Sequence, residues 1–153
     1  MNQKADSGTP IVIGSDHAGW ELKEEVKKYL AGKGINVRDV SEPKLNPNDD
    51  YPTYAKKVAK LVAAGGFEKG ITVCGTGIGA SIAANRIRGA RAALCLTPEM
   101  ARMSRRHNNA NVLVMGGRIT QPRDASMIVD AWLSTKFEGG RHQRRVDLLD
   151  SAE

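Results

Sequence analysis

Apolar residues fall along this chain in short runs separated by polar, helix-patterned segments. Residues 10–15, Pro-Ile-Val-Ile-Gly-Ser, form the first run. Residues 35–40, 71–74, 90–96 and 112–115 form four more short runs, that over 35–40 a weaker one and that over 71–74 β-rich. Between them apolar positions recur at helical spacing. Leu22, Val26, Tyr29 and Leu30 share a face in a helix over 20–31. Tyr54, Ala55, Val58, Leu61 and Val62 do so over 52–64. Helices are also expected from Ile78 to near Gly89, over 99–106 and over 122–136, the last carrying Ala125, Ile128, Val129, Trp132 and Leu133 inward. Five strands alternating with helices predict an α/β fold with a parallel sheet covered on both faces.

Glycine and proline punctuate the pattern. Gly32, Gly34, Gly65, Gly66 and Gly89 end helices, and Pro52 and Pro98 begin them. The loop over 41–50 is polar, holds two prolines and is long enough to line a site. No repeat or internal linker divides the chain, so one domain over 1–153 is expected, with 1–9 a flexible N-terminal segment. Residues 139–153 form a tail that packs on the body or on a neighbouring subunit.

The stretch from Ile71 to Ser81 carries the candidate chemistry. Its strand ends in Cys74, and Gly75-Thr76-Gly77-Ile78-Gly79 turns into a helix. Glycines let backbone approach a ligand closely, and the first turn of a helix offers free N–H groups and a positive dipole end. A phosphate or a developing oxyanion fits there. A helix start also favours thiolate over thiol, so one stretch combines a base with an oxyanion hole. A glycine turn beside an inert core cysteine is the plainer alternative. The spacing departs from the G-x-G-x-x-G of dinucleotide sites. Asp16 and His17 follow the first strand as candidate ligands, or as a helix cap and a solvated turn residue. Arg118 follows the fifth strand. Asp16, His17, the Cys74 loop and Arg118 should thus gather at one sheet edge.

The chain carries a net charge of +6, and residues 86–145 alone carry twelve basic and four acidic groups. That surplus points to an anionic partner. It is nearly all arginine, which suits bidentate phosphate recognition, and aromatics at 5% leave little on which bases could stack. A small phosphorylated molecule is expected rather than nucleic acid. Arg141 and Arg145 would lie one turn apart in a helical tail, facing one phosphate, or in a solvated basic tail otherwise. No apolar run reaches membrane-span length and the N-terminus has no signal-like apolar core, which predicts a cytoplasmic protein with free thiols at Cys74 and Cys95. No CxxC or HExxH motif supports a metal site.

Several segments together resemble the ribose-5-phosphate isomerase type B family, grouped with galactose-6-phosphate isomerase subunits. They are Gly14-Ser-Asp16-His17-Ala-Gly19, Asp50-Tyr51-Pro52, Cys74-Gly-Thr-Gly-Ile-Gly79 with Ser81-Ile-Ala-Ala-Asn85, Arg105-Arg-His107-Asn108, and Gly139-Gly-Arg141-His-Gln-Arg144-Arg145. The resemblance implies a three-layer α/β/α sandwich, Rossmann-like, with five parallel strands. It implies aldose–ketose isomerisation through an enediolate, with ribose 5-phosphate the leading substrate and allose or galactose 6-phosphate the alternatives. It makes Cys74 the base. A second branch of the family uses a later glutamate, and this chain has Ala80 there. It gives His107 the opening of the sugar ring, Asp16 and His17 sugar contacts, and Gly75, Gly77, Ile78 and Gly79 the enediolate oxygens. Asn108, Arg118, Arg141 and Arg145 take the remaining substrate and phosphate contacts. Thr76 is placed to steady an oxygen or move its proton. No metal or redox cofactor is needed. The family implies a homodimer or homotetramer, with His107, Asn108 and Arg118 facing the partner's Cys74. A phosphosugar sensor without catalysis, or a basic nucleic-acid binder, is the reading from a different class.

Overall fold

Five parallel strands pair in the order β2-β1-β3-β5-β4 in the computed structural model, which describes residues 11–151. They are β1 (Ile11–Ser15), β2 (Val37–Asp39), β3 (Lys69–Cys74), β4 (Ala92–Leu94) and β5 (Val112–Gly116). The expected flexible segment 1–9, Pro10 and the last two residues of the tail lie outside the described residues. Alternation along the strands sorts side chains between two cores. Ile11, Ile13, Ile71, Val73, Leu113 and Met115 face one core, and Val12, Cys74, Val112 and Val114 face the other. On the first face lie α1 (Trp20–Gly32), α4 (Pro98–Asn108) and α5 (Pro122–Ser134). On the second lie α2 (Tyr51–Ala63) and α3 (Ile78–Asn85). The layers are those expected.

The chain leaves β1 toward β2 and later returns to β3 on β1's other side, so strand order reverses between β1 and β3. Crevices at such a reversal, outside the carboxyl ends of the strands, are where open α/β sheets bind ligands. Register sets what meets there. Ser15 pairs with Val73 and Cys74 with Gly116, which brings the ends of β1, β3 and β5 level.

Several boundaries differ from expectation. The edge strands β2 and β4 are shorter than their apolar runs. The third helix ends at Asn85, not near Gly89, because the Asn85 side chain leaves the helix to clasp β4: its Nδ2 donates to the Ala92 carbonyl at 3.0 Å and its Oδ1 accepts from the Ala92 N–H at 2.9 Å. Lys23 is wholly buried beside Leu22, its ammonium 2.8 Å from Asp39 and 3.6 Å above the Trp20 ring. This ion pair ties α1 to β2. Residues 141–150 form a helix, α6 (Arg141–Asp150), that docks on its own chain. Val146 and His142 are buried, and Asp150 pairs with Arg91 at 2.8 Å. The tail therefore packs on the body of its own chain.

Candidate active site

The residues that end β1, β3 and β5 line one cleft of about 520 Å³. Asp16, His17, Cys74, Gly75, Thr76, Ile78, Gly79 and Arg118 border it, joined by Tyr51 and Ile82. The expected sheet edge is thus assembled within a single chain. Arg118 belongs to it: its Nη1 lies only 3.2 Å from where a Cβ on Gly75 would stand. This corrects the expectation that Arg118 crosses to a partner's Cys74, for it sits beside its own. The cause is backbone zipping, since the Gly117 N–H donates to the Cys74 carbonyl at 2.7 Å and the Arg118 N–H to the Gly75 carbonyl at 2.8 Å.

Gly77 makes the cysteine loop possible. Its φ of +84° is a left-handed conformation that side chains resist. Any Cβ there would stand 2.5 Å from Leu94 Cδ1 and 3.2 Å from the Met115 carbonyl carbon. This turn aims the Gly77 N–H at Cys74 Sγ, 3.2 Å away. Cys74 is nearly buried, at 4% exposure, and its sulfur sits under the first turn of α3. A backbone donor and the positive end of the α3 dipole both face the sulfur. Thr76 Oγ1 accepts the Ile78 N–H at 3.2 Å, so its hydroxyl helps cap α3 while facing solvent.

Asp16 caps the short turn after β1, accepting the Gly19 N–H at 3.0 Å. Burial pushes its carboxyl above the ordinary aspartate value, while the Gly19 N–H and the neighbouring His17 pull it down. Both roles read from the sequence, cap and cleft residue, are realised at once. His17 points its Nδ1 at Asp49 Oδ1, 2.8 Å away.

The other expected residues stand elsewhere. His107 and Asn108 end α4, and none of His107, Asn108, Arg141 and Arg145 lines the Cys74 cleft. The His107 ring stacks on that of His142, with centroids 4.3 Å apart. Burial, then His107 and Arg141, push His142 below the usual histidine value. Arg141 and Arg145 are exposed one turn apart on α6. Asn108 borders a separate hollow with Asn85, Arg91 and Leu149.

Sequence reasoning missed Asp49, Glu138 and His142 as site neighbours. Asp49 lies in the polar, proline-holding loop over 41–50, and only the fold shows its partner. His142 lay within a matched segment but drew no role. Among the described residues two groups bring three metal-ligand atoms within 4.8 Å: Asp16, His17 and Asp49, and His107, Glu138 and His142. No helix among the described residues is long and apolar enough to cross a membrane.

Comparison with known proteins agrees with this geometry. A family model described as Ribose/Galactose Isomerase matches residues 11–149. The chain is 46% identical to ribose-5-phosphate isomerase B of Escherichia coli, across 94% of this chain and 95% of that protein. It is similar to the crystal structure of a ribose 5-phosphate isomerase from Thermotoga maritima, with a TM-score of 0.89 and 55% identity across 93% of this chain and 97% of that one. It is likewise similar to ribose-5-phosphate isomerase B from Mycoplasma genitalium with bound ribulose-5-phosphate, with a TM-score of 0.88 and 42% identity over 92% of this chain and 93% of that one.

Proposed function

The chain belongs to the ribose/galactose isomerase family, and from that premise we propose that it interconverts ribose 5-phosphate and ribulose 5-phosphate through an enediolate. The observation that carries this reading is Cys74 Sγ at the strand-order reversal, 3.2 Å from the Gly77 N–H and under the first turn of α3. Aldose–ketose isomerisation needs a base beside a weakly acidic C–H and fixed donors where the enediolate charge grows. Cys74 thiolate removes the proton from C2 and returns it to C1. The amides of the loop from Gly75 to Gly79 hold the developing oxyanion, and Thr76 steadies an oxygen at the same rim. Asp16 and His17 bind sugar hydroxyls, and Arg118 brings positive charge over Gly75. Every proton removed is returned to substrate, so the cycle consumes no redox equivalent. On this reading the enzyme serves the pentose phosphate pathway, in the cytoplasm.

We further infer that the working unit is a homodimer or a multiple of one. His107, Asn108, Arg141 and Arg145 stand apart from their own chain's Cys74 cleft, so a second chain is the natural source of a ring-opening His107 and of phosphate-holding arginines. Ile78 and Ile82, 57% and 55% exposed, leave an apolar stripe of α3 uncovered at the rim of the cleft. Such a stripe suits a subunit contact. An Ile82→Arg substitution would then yield monomers by light scattering and abolish turnover together. Ketose formation from ribose 5-phosphate tests the activity itself, and a chain that binds the sugar phosphate without turning it over would be a sensor instead.

A further inference from the structure

The proposed reaction draws on two helix segments that stand apart from their own chain's Cys74 cleft. His107 and Asn108 end α4, and Arg141 and Arg145 lie in the first half of α6. The chain entering α6 does not by itself fix where that helix points. It passes through Gly139 and Gly140, with φ of +68° and +56°, and the helix N-terminus carries no side-chain cap. Stacking of His142 on His107 and burial of Val146 hold the first two turns of α6. Arg91 holds its far end. The Arg91 side chain, 17% exposed, donates from Nη1 to both carboxylate oxygens of Asp150, at 2.8 and 3.1 Å, and Asp150 is the last residue of α6. From Nε it donates to the Asn109 carbonyl at 3.1 Å. Asn109 is where α4 stops, at a φ of +47°. One guanidinium thus grips the ends of both helices.

The grip is itself anchored. The Arg91 N–H donates to Asn111 Oδ1 at 2.7 Å, and Asn111 Nδ2 donates to the Gly89 carbonyl at 2.9 Å, so the backbone around Arg91 is tied to the residue that leads into β5. An exposed ion pair contributes little. Arg91 departs from that pattern, because the same side chain also serves a backbone carbonyl that ends a helix. We propose that Arg91 and Asp150 are positioning residues: together they set α6 against the end of α4, and so the spacing between a ring-opening His107 and the phosphate-holding Arg141 and Arg145. The proposal rests on the isomerase reading for what those side chains meet, while the clamp itself does not. Misplacing a reacting group by about 1 Å costs on the order of a hundredfold in rate. The two residues act differently. Asp150 restrains α6 alone, so its loss weakens phosphate binding. Arg91 restrains α4 as well, so its loss also displaces His107.

Asp150→Ala should raise the KM for ribose 5-phosphate about three- to tenfold and leave kcat within about twofold. Competitive inhibition by inorganic phosphate should weaken by the same factor, because only the phosphate contacts have moved. Asp150→Asn keeps an acceptor oxygen and should recover part of that loss. Arg91→Ala should raise KM likewise and lower kcat by about tenfold or more. Amide hydrogen exchange should quicken along α6 in both alanine variants, and at the end of α4 in Arg91→Ala alone. An Arg91→Ala protein with the parent's KM and kcat would overturn the proposal. So would an Asp150→Ala protein that melts lower but keeps the parent's KM, or one that loses kcat with KM unchanged. Should Arg91→Ala fail to fold, the two Asp150 variants decide the same question. A parent that turns over no ribose 5-phosphate refutes the isomerase reading, while exchange along α6 and at the end of α4 still judges the clamp.

Discussion

Replacing Gly77 by alanine tests whether the cysteine loop is built as described. Gly77 holds φ at +84°, and a Cβ there would stand 2.5 Å from Leu94 Cδ1, 3.2 Å from the Met115 carbonyl carbon and 3.3 Å from the Gly116 nitrogen. Leu94 can turn aside, but the Met115–Gly116 backbone is held in register against Val73 and Cys74 of β3 and cannot. Left-handed strain costs about 1–2 kcal/mol for a residue with a side chain, and overpacking adds roughly 1–3 kcal/mol. The expected loss of stability is therefore about 2–5 kcal/mol, or roughly 5–15 °C in Tm for a domain of this size. Relief of the clash also shifts the Gly77 N–H away from Cys74 Sγ. Loss of a donor of this kind lowers kcat by about a hundredfold or more. Gly79→Ala is the control. Its φ is not left-handed, and the Cβ would meet the Tyr51 ring at 2.5 Å, a side chain 41% exposed and free to swing outward. That variant should melt within roughly 1 kcal/mol of the parent. Thermal denaturation and steady-state kinetics on both variants read the result. A Gly77→Ala protein that melts and turns over like the parent would refute the described loop.

Two further perturbations probe what surrounds the site. Burial alone would raise the Asp39 carboxyl, yet hydrogen bonds from Lys23, Lys27 and the Ser41 N–H outweigh it and hold it at about 2 against an ordinary 3.8. A depressed pKa stabilises the fold above the unfolded value and loses that contribution as pH falls from about 4 through 2, so Asp39→Asn should cost about 2 kcal/mol at pH 7 and progressively less toward pH 2; equal urea midpoints for the two proteins at pH 7 would contradict this. Arg141→Ala with Arg145→Ala should raise the KM for the sugar phosphate by at least about tenfold with little change in kcat, as loss of ground-state phosphate binding requires, and an unchanged KM would return both arginines to the solvent.

Much of the site was legible because its determinants are local. Apolar runs marked the strands, and the glycines after Cys74 marked the turn into α3. Parallel strands in turn put every strand's carboxyl end on one edge, which placed Asp16, His17, Cys74 and Arg118 together. What stayed hidden was set by distant contacts. Strand order depends on which runs pair, so the reversal between β1 and β3 leaves no local mark. Asn85 belongs to a helix by pattern and ends it only because Ala92 is within reach. Lys23 reads as a surface residue until Asp39 and Trp20 enclose it. Asp49 and Asp50 are alike in sequence, yet Asp49 folds onto His17 while the Asp50 side chain makes no cap hydrogen bond on α2. Arg118 was assigned by resemblance to the partner's cleft, and the backbone zipper beside Gly75 puts it in its own.

The most direct test of the central claim is the rate of ketose formation from ribose 5-phosphate by the purified protein and by Cys74→Ala, with binding of the sugar phosphate measured on both. The account predicts robust turnover by the parent, and a variant that binds the sugar phosphate almost as well but isomerises it at a rate near zero. A Cys74→Ala protein with the parent's rate would contradict the assignment of Cys74 as the base, and a parent that binds ribose 5-phosphate without converting it would contradict the isomerase itself.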